Sequence, residues 1–176
     1  LQNVSHALNE TMLNLNQVIN IQTNINLIIE NLNIKDNIDR IINIISEEIV
    51  FKKAVVKNNV SPEIFVNYNP AYLESILLNF ISNAIRYCHP MRNPIIILSS
   101  YIENDRTVLE ISDNGLGIDL KKYGDKLFGM YKTFHENPDS KGIGLFITKN
   151  QIDAMGGTVT VESEPNIGTT FKIYFK

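Results

Sequence analysis

Hydrophobic residues recur at helical spacing along the first part of the chain, from residue 1 to about residue 30. Thr11 and Gln22 interrupt an otherwise regular heptad seam, whose apolar positions are Leu1, Val4, Leu8, Leu15, Val18, Ile25 and Ile29. No glycine or proline breaks this segment. The pattern therefore predicts one long bundle or coiled-coil helix over residues 1–30, with an apolar stripe that needs a partner.

The rest of the chain alternates helical and strand patterns. Apolar spacing predicts a helix from residue 36 to about 52, and Asn69-Pro70 provides a cap and a first-turn proline for a helix that runs to about Tyr87. A last helix is predicted from near Gly142 to just before Gly156. Strand patterns predict a short connecting strand at 31–34 and three neighbouring pairs, 54–60 with 63–68, 95–102 with 107–112, and 158–163 with 169–175.

The segment 119–141 is polar and irregular, which predicts a lid-like loop. Helices separated from clustered antiparallel strands indicate an α+β fold. The 176 residues are 44% hydrophobic, enough for a real core, and a formal net charge of −3 gives no broad electrostatic footprint for nucleic acid. A single cysteine, Cys88, excludes an internal disulfide and a multi-cysteine zinc site, and the three histidines lack metal-ligand spacing.

The apolar runs of the chain are too short to span a bilayer. We therefore expect a soluble, cytoplasmic piece of a longer protein, in which any membrane attachment lies outside this sequence. No nucleic-acid partner is expected.

The helix over residues 70–87 carries a polar face that would suit a ligand. Asn79, Asn83, Arg86 and Tyr87 fall at helical spacings of three and four, which places them on one side of the helix. An amide oxygen can complete a magnesium shell without adding charge, and a guanidinium suits phosphate oxygens. The alternative interpretation is an ordinary solvated face.

Two glycine-containing stretches follow this helix. In "ISDNGLGI", Asp113 ends an apolar run and precedes Gly115 and Gly117, a pattern typical either of a simple turn or of a ligand site. In "DSKGIGLFITKN", Gly142 and Gly144 open the last predicted helix, either as a plain glycine-rich start or as a phosphate-binding end with free backbone amides. The chain lacks the spacing of a P-loop, a Rossmann fingerprint or an EF-hand.

Taken in order, these stretches resemble the motifs of the Bergerat-type ATP-binding fold of sensor histidine kinases, which is shared with type II topoisomerases, MutL proteins and heat-shock chaperones. "NFISNAIRY" is similar to the N box, "DNGLGI" to the first glycine box, "LFGMYKTF" to the F box, "KGIGL" to the second glycine box and "GTTF" to a last glycine motif. The resemblance implies a catalytic ATP-binding domain over residues 31–176. Its implied fold is a two-layer sandwich of a mixed, mostly antiparallel sheet and about three helices, preceded by one long helix at 1–30.

The resemblance also implies a role for each matching residue. Asp113 accepts a hydrogen bond from the adenine amino group of ATP, while Gly115 and Gly117 leave room for the nucleotide. Asn83 is the implied ligand of Mg²⁺. Asn79 is implied to contact either the phosphates or the metal. The other implied nucleotide contacts are Arg86 at the phosphates, Tyr87 beside the nucleotide, Lys132 in the lid, and Gly142 and Gly144 around the phosphates.

The lid departs from the family pattern at two positions. Ser140 stands where the second glycine box often begins with glycine, which implies a stiffer lid hinge. Thr133 stands where an arginine is common, so that either Lys132 substitutes for it or the lid is less active. Phe128 and Tyr131 are expected to anchor the lid through apolar contacts.

One position separates the relatives of this fold. The ATP-hydrolysing members resemble one another in carrying a water-activating glutamate four residues before the metal-binding asparagine, where this chain has Asn79, which cannot act as a general base. The resemblance therefore implies a histidine kinase that transfers the γ-phosphate of ATP to a histidine, for relay to an aspartate of a response regulator. A serine kinase of the same fold and a degenerate nucleotide-binding module are the alternatives.

The acceptor histidine is expected outside this sequence. The stretch "SHALNET" contains His6, but Ala7 replaces the acid that follows the acceptor in sensor kinases. A dimerisation hairpin also needs two long helices, whereas residues 1–30 suffice for one helix of roughly 45 Å. We therefore expect residues 1–30 to be the second helix of that hairpin, through which a second copy of the chain binds.

Overall fold

The computed structural model describes residues 28–129 and 143–176. Its strands are β1 (Glu30–Asn33), β2 (Val55–Asn58), β3 (Phe65–Tyr68), β4 (Ile95–Glu103), β5 (Arg106–Asp113), β6 (Thr158–Glu164) and β7 (Gly168–Tyr174). Its α-helices are α1 (Ile34–Ile44), α2 (Ser46–Phe51), α3 (Pro70–Arg86), α4 (Leu120–Tyr123) and α5 (Gly144–Ala154), and a 3₁₀ turn at Gly124–Lys126 follows α4. None of the helices in these two ranges is long and apolar enough to cross a membrane.

Five of the strands form one sheet in the order β2-β4-β5-β7-β6. Strand β2 runs parallel to β4, and every other neighbouring pair in this sheet is antiparallel. Strands β1 and β3 form a separate antiparallel pair. The predicted α+β class and the mixed, mostly antiparallel sheet are therefore confirmed, as are the hairpins β4–β5 and β6–β7.

Asparagine side chains cap the N-termini of the two helices α1 and α3. The Asn33 side chain accepts a hydrogen bond from the backbone N–H of Asp36 at 3.0 Å, and Asn69 accepts one from Tyr72 at the same distance. Pro70 then occupies the first turn of α3, where its missing N–H leaves no helical hydrogen bond unmade. The predicted start of α3 is confirmed.

Helix α3 packs its apolar face against the sheet. Leu77 and Ile81 are completely buried, and the Phe80 ring meets the Phe171 ring of β7 with centroids 4.6 Å apart. Each such side chain contributes about 1.5–3 kcal/mol when removed from water. The packing therefore holds α3 in place while its other side remains available for polar residues.

The predicted pairing of the strands around Ser61-Pro62 is wrong. Strand β2 pairs with β4, and β3 pairs with β1. The Asn58 side chain, at the end of β2, donates to the Lys35 carbonyl oxygen at 3.1 Å and to Asp39 Oδ1 at 2.7 Å. These bonds connect the end of β2 to α1. The chain therefore does not form a β2–β3 hairpin at Ser61-Pro62.

Three predicted boundaries also change. The helix expected at 36–52 is two helices, because the backbone leaves the helical conformation at the buried residue Ile45 (φ −99°, ψ 18°). Glu30, the expected end of the long helix, already belongs to β1, and residues 1–27 lie outside the described residues. Residues 120–126, expected to be part of an irregular lid-like loop, instead form α4 and the 3₁₀ turn.

Candidate functional site

Asp113 lies at the end of β5, between Ile96 of β4 and Thr169 of β7. Its half-buried carboxylate accepts a hydrogen bond from the Gly115 backbone N–H to Oδ1 at 2.7 Å. Burial raises the pKa of the Asp113 carboxyl to about 6, while backbone hydrogen bonds from Gly115 and Thr169 and the charge of Arg92 act in the opposite direction. A carboxylate held in this way can accept a further hydrogen bond from a ligand.

The loop after Asp113 is packed tightly against the protein. A Cβ atom on Gly115 would lie 2.5 Å from the Tyr87 carbonyl oxygen, and Gly117 has a positive φ of 66° with the Glu164 carbonyl oxygen where a Cβ would stand. The Leu116 N–H donates to the Tyr87 carbonyl at 2.9 Å. In the structure, the two glycines make room for the backbone of the protein itself.

Arg92 is a site residue that sequence reasoning missed. It lies in the loop between α3 and β4, and its Nη2 atom donates to the carbonyl oxygens of Gly115 at 3.0 Å and Asn166 at 2.5 Å. No motif in the sequence marks Arg92, since its partners are 23 and 74 residues away.

The amides of α3 form a hydrogen-bonded chain. Asn83 Nδ2 donates to Asn79 Oδ1 at 3.1 Å, and Asn79 Nδ2 donates to Thr148 Oγ1 of α5 at 2.7 Å. A Cβ atom on Gly144, the first residue of α5, would lie only 2.5 Å from Asn79 Oδ1. Asn79 therefore links α3 to the start of α5, and Thr148, which is 1% exposed, is a second residue that the sequence did not mark.

The C-terminal end of α3 connects the Asp113 loop to the helix that carries Asn79 and Asn83. Arg86 is exposed in the last turn, and Tyr87 caps the helix with its N–H bonded to the Asn83 carbonyl at 2.9 Å. The Tyr87 carbonyl accepts from Leu116, two residues before the end of the first glycine box. The structure thus places the Asp113 loop directly beside the helix that carries the two asparagines.

Part of the expected site lies outside the described residues, namely Lys132, Gly142, Tyr131, Thr133 and Ser140. Phe128 is described, and it is partly buried against the core as expected. A groove of about 490 Å³ lies between α3 and α5. It is lined by Ser75, Leu78, Asn79 and Ser82 on α3 and by Gly144 and Thr148 on α5.

The donor set of α3 fits a hard cation that brings its own phosphate ligands. Asn83 uses its nitrogen toward Asn79, which leaves the neutral Oδ1 atom as a ligand of the kind that Mg²⁺ accepts. Within residues 28–129 and 143–176, no group of three or more His, Cys, Asp or Glu side chains could hold a metal ion by itself.

The chain matches the model of a known protein family over its second half and beyond. Residues 68–176 match the family described as histidine kinase-, DNA gyrase B- and HSP90-like ATPase. The signal transduction histidine-protein kinase ArlS of Staphylococcus aureus (strain USA300) is 33% identical over 118 residues, which are 65% of this chain and 26% of ArlS. The chain thus spans about a quarter of the length of the curated relatives it matches.

Solved structures of histidine kinases have a similar fold. The Acinetobacter baumannii histidine kinase AdeS gives a TM-score of 0.78 at 21% identity, covering 99% of this chain and 81% of that one. Full-length ShkA in complex with AMPPNP gives 0.77 at 22%, covering 92% and 34%. The nucleotide-free catalytic domain of ThkA gives 0.73 at 20%, covering 85% and 95%. Since the family's pattern covers more than half of its residues, this chain belongs to the histidine kinase-, DNA gyrase B- and HSP90-like ATPase family.

Proposed function

We propose that residues 31–176 are the catalytic ATP-binding domain of a sensor histidine kinase, which binds Mg-ATP and transfers its γ-phosphate to a histidine. The observation that carries the proposal is the junction between Asp113 and α3. A half-buried carboxylate begins a loop that is hydrogen-bonded to the end of the helix carrying Asn79 and Asn83. The Asp113 end of this arrangement suits the edge of a nucleotide base, and the Asn79 and Asn83 end suits phosphates with their cation.

Each residue has a separate task in this proposal. Asp113 accepts a hydrogen bond from the exocyclic amino group of adenine, and its burial makes that bond costly to leave unmade. Asn83 Oδ1 is the ligand for Mg²⁺, and Asn79 keeps the Asn83 nitrogen occupied. Arg86 supplies positive charge near the phosphates. Mg²⁺, when bound, neutralises phosphate charge during phosphoryl transfer.

The residue at position 79 favours kinase chemistry over ATP hydrolysis. Asn79 has no basic atom that could activate water, and both ends of its side-chain amide bond to neighbouring side chains. The protein then contributes positioning and charge neutralisation, which is what phosphoryl transfer to a protein acceptor requires.

The longer protein would supply the acceptor and the partners. We propose that residues 1–30 are the second helix of a dimerisation hairpin, that the acceptor histidine precedes Leu1, and that a response regulator receives the phosphoryl group. His6 is then not the acceptor. ArlS is named a signal transduction histidine-protein kinase, which supports a signalling role for a chain similar to part of it.

The nucleotide assignment is tested with a single substitution. Asp113→Asn should keep the fold and weaken Mg-ATP binding by about tenfold to a hundredfold, because losing one partner of a buried hydrogen bond costs roughly 1–3 kcal/mol. Titration calorimetry on the 176-residue chain measures this. Asp105→Asn, in the exposed β4–β5 turn, is the matched control. Equal affinities for wild type and Asp113→Asn would refute the assignment.

The phosphotransfer assignment is tested in the full-length protein with radiolabelled ATP. Wild type and His6→Ala should both acquire an acid-labile phosphoryl group, and Asp113→Asn should acquire much less. Loss of labelling in His6→Ala would make His6 the acceptor. Binding without any labelling would indicate a nucleotide-binding module, and an acid-stable label would indicate a serine kinase.

A further inference from the structure

Arg92 joins three segments of the chain that are far apart in sequence. Its Nη2 atom contacts the carbonyl oxygens of Gly115 at 3.0 Å, Asn166 at 2.5 Å and Ile167 at 3.5 Å. The first belongs to the glycine loop after β5, and the other two belong to the β6–β7 turn. Hydrogen bonds from a charged donor are roughly twice as strong as neutral ones, so this contact resists separation of the two segments.

Gly115 connects Arg92 to Asp113. The carbonyl oxygen of Gly115 accepts from Arg92, and its N–H donates to Asp113 Oδ1 at 2.7 Å. A shift of Gly115 would therefore reorient the carboxylate. A Cβ atom on Gly115 would lie 2.5 Å from the Tyr87 carbonyl oxygen, so the end of α3 also packs closely against this residue.

The β6–β7 turn is held on the same loop by independent bonds. The Asn166 N–H donates to the Leu116 carbonyl at 2.7 Å, and the Ile118 N–H donates to Ser163 Oγ at 2.8 Å. These bonds do not involve Arg92, so they keep the loop and turn together when Arg92 is replaced. Removing Arg92 should then change the orientation of Gly115 and Asp113 more than it changes the fold.

We propose that Arg92 is a positioning residue for base recognition, which holds the Gly115 peptide so that the Asp113 carboxylate meets the amino group of adenine. This inference rests on the proposed ATP binding and adds a residue that lies outside the five motif stretches of this sequence. Arg92 itself touches neither the base nor the phosphates in this role. Its effect should therefore fall on the discrimination between purines and leave the phosphate contacts unchanged.

The experiment compares Mg-ATP with Mg-ITP, whose base carries an oxygen where adenine carries the amino group. The dissociation constant of Mg-ATP is measured by calorimetry on the 176-residue chain, and that of Mg-ITP by competition. Wild type should prefer ATP at least tenfold. Arg92→Ala should bind ATP about fivefold more weakly with ITP changed less than twofold, and Arg92→Lys should recover part of the preference. Arg106→Ala, an exposed arginine at the start of β5, is the matched control.

Three results would overturn parts of this account, and they are distinguishable. Equal weakening of ATP and ITP binding by Arg92→Ala would make Arg92 a general structural contact. Unchanged affinities for both nucleotides would remove Arg92 from recognition altogether. If wild type bound neither nucleotide, or bound both equally, the proposed function itself would fail. If Arg92→Ala did not fold, Arg92→Gln would provide the same comparison.

Discussion

The burial of the Asp113 carboxyl lowers the stability of the free protein at neutral pH. Burial disfavours its ionised form and raises the pKa of the carboxyl to about 6, even though Gly115, Thr169 and Arg92 all favour the charge. At neutral pH the free protein therefore holds a partly desolvated carboxylate. A ligand that donates a hydrogen bond to it would relieve that cost.

This argument predicts how stability depends on pH. The contribution of Asp113 to the free energy of unfolding is fully present below the unfolded pKa of 3.8 and is lost as the pH rises through about 6. Asp113→Asn removes this titration. The free energy of unfolding of the variant should therefore rise relative to that of wild type by up to about 3 kcal/mol between pH 4 and pH 7, and the difference should stay constant above that range. Urea unfolding at a series of pH values measures the difference.

The control for this prediction is Asp105→Asn, which removes a carboxylate from an exposed turn. Its stability should follow that of wild type across the same pH range. A difference between Asp113→Asn and wild type that is constant from pH 4 to pH 8 would contradict the proposed burial of the charge.

At the scale of single residues, the sequence predicted candidates within motifs and missed those outside them. Asp113, Asn79 and Asn83 stand in recognisable local patterns. Arg92 and Thr148 do not, because their contacts join residues 74 and 69 positions apart, which no local pattern records. Such partners become visible only when the packing of α3, α5 and the β6–β7 turn is known.

At the scale of elements, the β5 loop depends on a residue without a side chain. Gly117 has a φ of 66°, and the Glu164 carbonyl oxygen occupies the place of a Cβ. Gly117→Ala should therefore cost about 2 kcal/mol or more, since a strained φ alone costs about 1–3 kcal/mol, and it should weaken Mg-ATP binding by moving the loop. Denaturant unfolding and calorimetry measure the two effects.

Gly124 offers the matched control for Gly117. It has a right-handed helical backbone, and the nearest atom to an added Cβ would be 3.9 Å away. Gly124→Ala should leave stability unchanged or raise it by about 0.5 kcal/mol. If Gly117→Ala were as well tolerated as Gly124→Ala, the close packing of the loop on the β6–β7 turn would be wrong.

The elements that the sequence predicted well have local signals. Asn69-Pro70 fixed the start of α3, and short polar turns identified the hairpins β4–β5 and β6–β7. The partner of β2 was missed because a parallel pair such as β2–β4 leaves no turn between its strands. The break at Ile45 was missed because apolar spacing continues through it.

At the scale of the whole molecule, the core and the candidate site share one helix. The apolar side of α3 packs on the sheet, and its polar side carries Asn79 and Asn83. Any loosening of the core would displace the asparagines relative to Asp113, which is fixed in the sheet through β4 and β7. Stability and nucleotide binding should therefore change together when α3 is loosened.

Phe80→Ala tests this coupling. Phe80 is 2% exposed and packs on Phe171, so truncation should cost roughly 3–5 kcal/mol, a large part of the roughly 5–15 kcal/mol that stabilises a typical domain. Phe65→Ala, on the half-exposed side of β3, removes the same atoms from outside the core and should cost much less. Mg-ATP at a concentration one hundred times its dissociation constant should raise the free energy of unfolding of Phe80→Ala by about 2.7 kcal/mol, because a ligand of the folded state stabilises that state. Thermal unfolding with and without Mg-ATP measures both the cost of the truncation and the stabilisation by nucleotide. A Phe80→Ala variant that is as stable as Phe65→Ala would show that α3 is not held by this contact with the sheet.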